Sequence, residues 1–130
     1  MTGKIGWLAN NTRPDLSFTA LKMSQNNKEA TISDVRDVNR ILAKVRERES
    51  KVKYEHMGDR DDLMIVGIGD ASLKADEKPV GGVILFLTNS SMTRASPLYW
   101  KAKQIDRVCH SSKDAETLNL LTMVVDSAYA

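Results

Sequence analysis

One cysteine, two histidines and three prolines stand in a chain of 130 residues. The single thiol, Cys109, closes no internal disulfide, so a reducing compartment is expected. Cys109, His56 and His110 do not make a zinc-ligand spacing, and both histidines read as isolated. No apolar run approaches the ~20 residues that cross a bilayer. The opening residues Met1 to Trp7 lack the apolar stretch of a secretory leader. The expected setting is therefore intracellular, in cytoplasm or nucleus, with no membrane partner.

What is present suits a folded chain. Hydrophobic residues make up 42% and charged residues 28%, which favours a packed core over disorder. The net charge of +2 is uneven. Residues 1–60 hold 12 Lys and Arg against 8 Asp and Glu, whereas residues 61–130 hold 7 against 9. The first part leans toward anionic partners and the second toward cations.

The first part reads as helical. Residues Thr2 to Asn10 suggest a short helix. Thr12 as a cap, Pro14 in the first turn and Asp15 near the positive end of the dipole predict a second helix over 14–24. That helix should bury Leu16, Ala20, Met23 and Phe18, with a loop at 25–28. Ser33 and Asp34 open a third helix running to about Glu49. Its apolar positions Val35, Val38, Ile41, Leu42 and Val45 follow the 3.6-residue period. Arg36, Arg40, Lys44 and Arg48 recur every four residues on another face. Such a ladder suits the phosphates of duplex nucleic acid. It also suits a solvated face partly paired with Asp37 and Glu47. Residues 50–54 alternate Lys with Val52 and Tyr54, as a short edge strand does. The polar break at 58–62 marks the expected boundary between segments 1–58 and 62–130.

The second part reads as three strands and a helix. Strands are expected at 63–69, 80–88 and 97–103, with polar turns at 74–79 and 89–93. Connections this short favour antiparallel hairpins. The middle strand is apolar on consecutive positions, so both its faces should be covered. Gly81 and Gly82 allow the backbone to bend or be approached closely. In the third strand Leu98, Trp100 and Ala102 should share one face and Tyr99, Lys101 and Lys103 the other. Ser111 and Asp114 form a capping box for the last helix. Its apolar face is expected to be Ala115, Leu118, Leu121, Val125 and Ala128. It carries no Gly or Pro stop signal, so it is expected to run to the final residue inside a longer protein. The fold class is α+β: about three N-terminal helices, then a three-stranded antiparallel sheet with one packed C-terminal helix.

Asp70 closes the first apolar run and Glu116 lies in the opening turn of the last helix. Packing that helix on the sheet would bring together two acids from different elements, as a divalent metal site needs. Each also has a plain reading, as a strand-end turn residue and as a first-turn helix acid.

Several segments together resemble the copia-type retroelement polyprotein where reverse transcriptase joins RNase H. The segment Leu8-Ala9 followed by Arg13-Pro14-Asp15 is similar to one late in the polymerase. Arg40-Ile41-Leu42 with Lys44 is similar to the basic helix that follows. Asp70-Ala71-Ser72, then Gly82-Val83-Ile84-Leu85, then Trp100-Lys101-Ala102-Lys103-Gln104, then Ser111-Ser112 with Ala115-Glu116 resemble the first part of RNase H, in the family's order. The resemblance implies a thumb- or connection-like segment followed by a partial RNase H domain. It implies Asp70 and Glu116 as catalytic, metal-binding acids for Mg²⁺. It implies an RNA–DNA hybrid as the partner, read by backbone shape. The polymerase palm would lie before Met1, the third RNase H acid beyond Ala130, and residues 74–76 depart from the family text. Asp126 lies ten residues beyond Glu116 on one helix, ~15 Å of rise, too far to share its ion, and reads as an exposed acid. The piece is therefore expected to be inactive alone. A non-enzymatic nucleic-acid or protein-interaction module is the alternative. A subunit whose open sheet edge is covered by a partner protein is a further one.

Overall fold

Thr31 and Ser111 set the starts of the two longest helices. In the computed structural model, which describes residues 2–25, 30–58, 62–74 and 78–129, each caps its helix with an acid three residues on. The Asp34 N–H donates to Thr31 Oγ1 at 3.3 Å, and the Thr31 N–H donates to the Asp34 carboxylate at 2.7 Å. This box opens α3, Ile32–Glu47, one residue before the expected start and two before the expected end. Ser111 and Asp114 do the same for α4, Ser112–Ser127, as the sequence predicts. Two orphan donors are satisfied at each start, and Asp34 and Asp114 sit where the helix dipole favours them.

The described residues divide into two compact units, Met1–Val52 and Lys53–Ala130. The first holds α1 (Thr2–Asn11), a single 3₁₀ turn (Pro14–Leu16), α2 (Ser17–Gln25) and α3. The expected helix over 14–24 is thus split at Ser17. Thr12 does not cap it. Its hydroxyl donates to the Leu8 carbonyl at 3.3 Å, and the Thr12 and Arg13 N–H groups bond to the same oxygen. Thr12 therefore ends α1 rather than starting the next element. Ile5, Ala9, Leu16 and Val38 are the buried apolar residues of this unit, whereas Phe18 is 54% exposed and Val35 53%. Those two were expected inside. The expected loop at 25–28 lies beyond Gln25 outside the described residues.

Arg13 is buried and organises this unit. Its guanidinium donates to both carboxylate oxygens of Asp15, at 2.9 and 2.8 Å, and to the Arg48 carbonyl at 3.1 Å. A forked cation so placed satisfies a carbonyl at the C-terminal cap of α3.

The second unit is an antiparallel sheet with α4 on one face. The strands β1 (Leu63–Ser72), β2 (Val80–Asn89) and β3 (Ala95–Gln104) lie in the order β1-β2-β3. Gly67 pairs with Leu85, Gly69 with Val83 and Asp70 with Gly82. Between β2 and β3 the register shifts after the Leu85–Tyr99 pair, and Phe86 meets Pro97. Leu98 is thus the extra residue of a bulge and is 40% exposed, not a member of the Trp100 face as expected. Trp100 and Ala102 pair with Ile84 and Gly82, and Trp100 is buried. Asn89 holds the β2–β3 turn, where Met92 has φ 52°. Its side-chain oxygen accepts from the Thr93 and Arg94 N–H groups.

Side chains alternate, so one face of the sheet meets α4. Val83 and Leu85 point there and are buried, while Ile84 and Phe86 on the other face stay partly exposed. The expectation that both faces of β2 are covered is corrected to one covered and one half-covered face. Nor are residues 50–54 an edge strand. Residues from Lys53 on belong to the second unit. There Glu55 donates its N–H to Ser96 Oγ at 2.8 Å, and Arg94 donates to the His56 carbonyl at 2.9 Å. Side-chain bonds replace the ladder that β-pairing needs. Residues 59–61 and 75–77, within the expected break and turn, lie outside the described residues.

The buried face of α4 is Ala115, Leu118, Asn119, Thr122, Met123 and Asp126, each buried or half-buried. Leu121 and Val125, expected inside, are 56% and 48% exposed. The cause lies in the sheet, where Gly67, Gly69 and Gly81 leave room for Met123 and Asn119. The helix also stops at Ser127, with the Ala128 N–H bonded to the Val125 carbonyl at 3.1 Å, short of the expected end. No described helix is long and apolar enough to cross a membrane.

Candidate functional site

Asn119 is the residue around which the site is built. It is 4% exposed, and its amide donates to the carbonyls of Asp70 at 2.9 Å and Gly82 at 3.0 Å. Those two residues are strand partners, so one amide joins β1, β2 and α4. The close approach needs Gly81, because a Cβ there would overlap the Asn119 side-chain oxygen. Gly69 is tight as well, with a Cβ position 3.0 Å from Asn119 Nδ2. A polar side chain buried this deeply is costly unless bonded, and here both donors of the amide are used.

Over this joint lies an open depression of about 390 Å³, lined by Gly69, Asp70, Glu116, Asn119, Leu120 and Met123. The two acids singled out in the sequence therefore border one hollow. Asp70 is not at a strand tip as expected; β1 continues to Ser72. By alternation its side chain has the parity of Ile68, away from α4, while Glu116 enters from the first turns of the helix. Both are exposed. Among the described residues no group of three His, Cys, Asp or Glu side chains could hold a metal ion.

Asp126 is not the exposed acid expected from the sequence. It is half-buried and accepts from Lys101 Nζ at 3.5 Å, across from β3. Burial pulls the Lys101 ammonium down, but hydrogen bonding with Tyr99 and the charge of Asp126 outweigh it, and the pKa is raised. The pair ties the far end of α4 to the sheet, two to three turns from Glu116. It belongs to the packing rather than to the hollow.

In the first unit Arg36, Arg40, Lys44 and Arg48 are all exposed along α3 and at its C-terminal cap. Arg40 pairs with Asp37 at 2.9 Å in a solvated i,i+3 contact, of the kind worth little to stability. The four cations stand about 6 Å apart along the axis, which leaves their charge available to a partner.

Asn119 and Arg13 were not singled out as functional in the sequence. A polar residue four positions after Ala115, inside an apolar helical pattern, was the signal for Asn119. Gly81 did announce a close approach, though not what approaches. Comparison with protein families, with curated proteins and with solved structures finds no match to this chain.

Proposed function

We propose that the chain is a segment of a copia-type retroelement polyprotein, with a thumb- or connection-like first unit and a partial RNase H-like second unit. The parent activity would be RNA-dependent DNA synthesis with hydrolysis of RNA in RNA–DNA hybrids. The observation that carries this reading is the hollow shared by Asp70 and Glu116, contributed by the first strand and the last helix. It is supported by the order of the motifs along the chain and by an α+β arrangement of the expected kind.

The donor set fits one hydrated Mg²⁺. This ion takes one or two carboxylates, keeps several waters and requires hard oxygen ligands. Asp70 and Glu116 would hold it through bridging waters, because the Asp70 side chain has the parity of the sheet face away from α4. A bound ion of this kind polarises a phosphoryl oxygen and lowers the pKa of its water. The chain's own residues supply two negative charges at the rim and a fixed floor. Asn119 holds the Asp70 backbone to Gly82, so the carboxylate is carried on a braced strand. A two-ion site needs a further acid. The segment is accordingly proposed to bind metal without cleaving hybrid by itself, in an intracellular setting.

Titration with Mn²⁺ tests this. Paramagnetic broadening of the amides around positions 70 and 116 at millimolar Mn²⁺ is expected, and Asp70→Asn should remove it. Unbroadened signals at both positions would overturn the reading. A second reading, a non-enzymatic duplex-binding module, rests on the exposed cation strip of α3.

A further inference from the structure

A second hollow, of about 310 Å³, lies just beyond the sheet, where β1 and β3 have ended and β2 has yet to begin. Much of its lining is apolar. Leu73 and Ile105 are half-buried and Pro79 is buried. The Ile105 N–H donates to the Pro79 carbonyl at 2.8 Å, which ties the end of β3 to the start of β2. Val108 lines the same space yet is 80% exposed. The polar lining is mostly of one sign. Lys78 and Arg107 are exposed, and neither forms an ion pair with a described residue. The N–H groups of Asp106, Arg107, Val108 and Cys109 likewise donate to no described residue. One acid, Asp106, stands against the two cations.

We propose that this hollow binds a small carboxylate carried on an apolar body. Apolar walls with a few polar groups converging on one space are the usual form of a small-ligand site. Two cations and a run of unbonded N–H donors suit an anionic head. Lys78, Arg107 and Asp106 together leave one positive charge, which matches a monoanion. A bare inorganic ion would leave Leu73, Pro79, Ile105 and Val108 in contact with water, whereas an apolar body covers them. The hollow shares no lining residue with the Asp70–Glu116 depression, so the inference does not depend on metal chemistry there.

Cys109 lines the hollow and is the chain's one cysteine, so its alkylation by neutral iodoacetamide reports occupancy at this place alone. Octanoate is the probe, and each protein is compared with itself in the presence and absence of the probe. In the whole chain, octanoate at about ten times its dissociation constant should slow alkylation about tenfold, because about one site in eleven stays empty. Lys78→Gln with Arg107→Gln should raise the octanoate concentration required by about tenfold or more, since both cations are lost. Val108→Ser should raise it as well, and Asp106→Asn should lower it. All four side chains are exposed, so circular dichroism should stay unchanged. An alkylation rate indifferent to octanoate overturns the proposal. So does equal protection of the Lys78→Gln, Arg107→Gln variant. Octan-1-ol protecting as well as octanoate would overturn the anionic head, and inorganic phosphate protecting as well would overturn the apolar body. If the double variant unfolds, Val108→Ser keeps the test open, and unchanged protection in it counts against the proposal.

Discussion

Asn119 occupies the space that a side chain at Gly81 would need. The two residues are 38 positions apart, yet the contact lets a helix amide reach two strand carbonyls. Gly81→Ala should destabilise the second unit by about 1–3 kcal/mol, as overpacking does. In an Asn119→Ala background the same change should cost much less, because the obstructing amide is gone. Urea unfolding of the four variants gives the coupling. Additive effects would mean the two positions are not in contact.

Removing the amide while keeping the volume isolates its bonds. Asn119→Leu should cost about 1–3 kcal/mol, since two carbonyls lose their donor in a buried joint. Hydrogen exchange should rise at residues 70 and 82 and leave α3 unchanged. Stability equal to the parent chain would show that water serves these carbonyls as well.

Ser111→Ala should cost about 1 kcal/mol, the usual worth of an N-cap. The Asp114 N–H loses its side-chain acceptor there. Thr31→Ala should cost a similar amount through the equivalent bond to Asp34. Thermal unfolding followed by helix signal measures both, and no loss in either variant would contradict the capping geometry.

The Arg13 guanidinium holds the Asp15 carboxyl below its usual range, chiefly by direct hydrogen bonds. A carboxylate lowered on folding stabilises above its unfolded pKa of 3.8, and that contribution is lost as pH falls through the lower folded value. The parent chain should therefore exceed Asp15→Asn in stability at about pH 6, with the gap closing below pH 3.8. A gap that stays constant on acidification would remove the ion pair from the account.

If α3 meets duplex phosphates, binding should weaken with salt at a slope of about −0.9 per phosphate neutralised. Changing Arg36, Arg40, Lys44 and Arg48 to Gln should flatten that slope and reduce affinity whatever the base sequence. Unchanged affinity in the fourfold variant would end the duplex-binding reading.

The capping boxes at Thr31 and Ser111, the three strands and the antiparallel order were legible in the sequence to different degrees. Ser111 with Asp114 is a local signal, complete within four residues, and the structure carries it as the cap of α4. Thr31 with Asp34 is equally local, but the neighbouring Ser33 offers a competing hydroxyl, and the structure caps α3 with Thr31. The split at Ser17 is not legible in the sequence because Thr12 bonds backward to Leu8, and a hydroxyl that can end one helix or start another has no sequence mark to separate the two.

Periodicity alone determined that α4 is a helix and that β1 to β3 are strands, because apolar spacing and turn residues act within a few positions. Tertiary structure alone decided which side of α4 faces inward. A sheet surface floored with Gly67, Gly69 and Gly81 accepts Asn119 and Met123, and Leu121 and Val125 on another flank of the helix are left outside. The same packing sets Asp70 and Glu116 on one hollow. Local chemistry names an acid, but only the meeting of distant backbone segments determines what it stands beside.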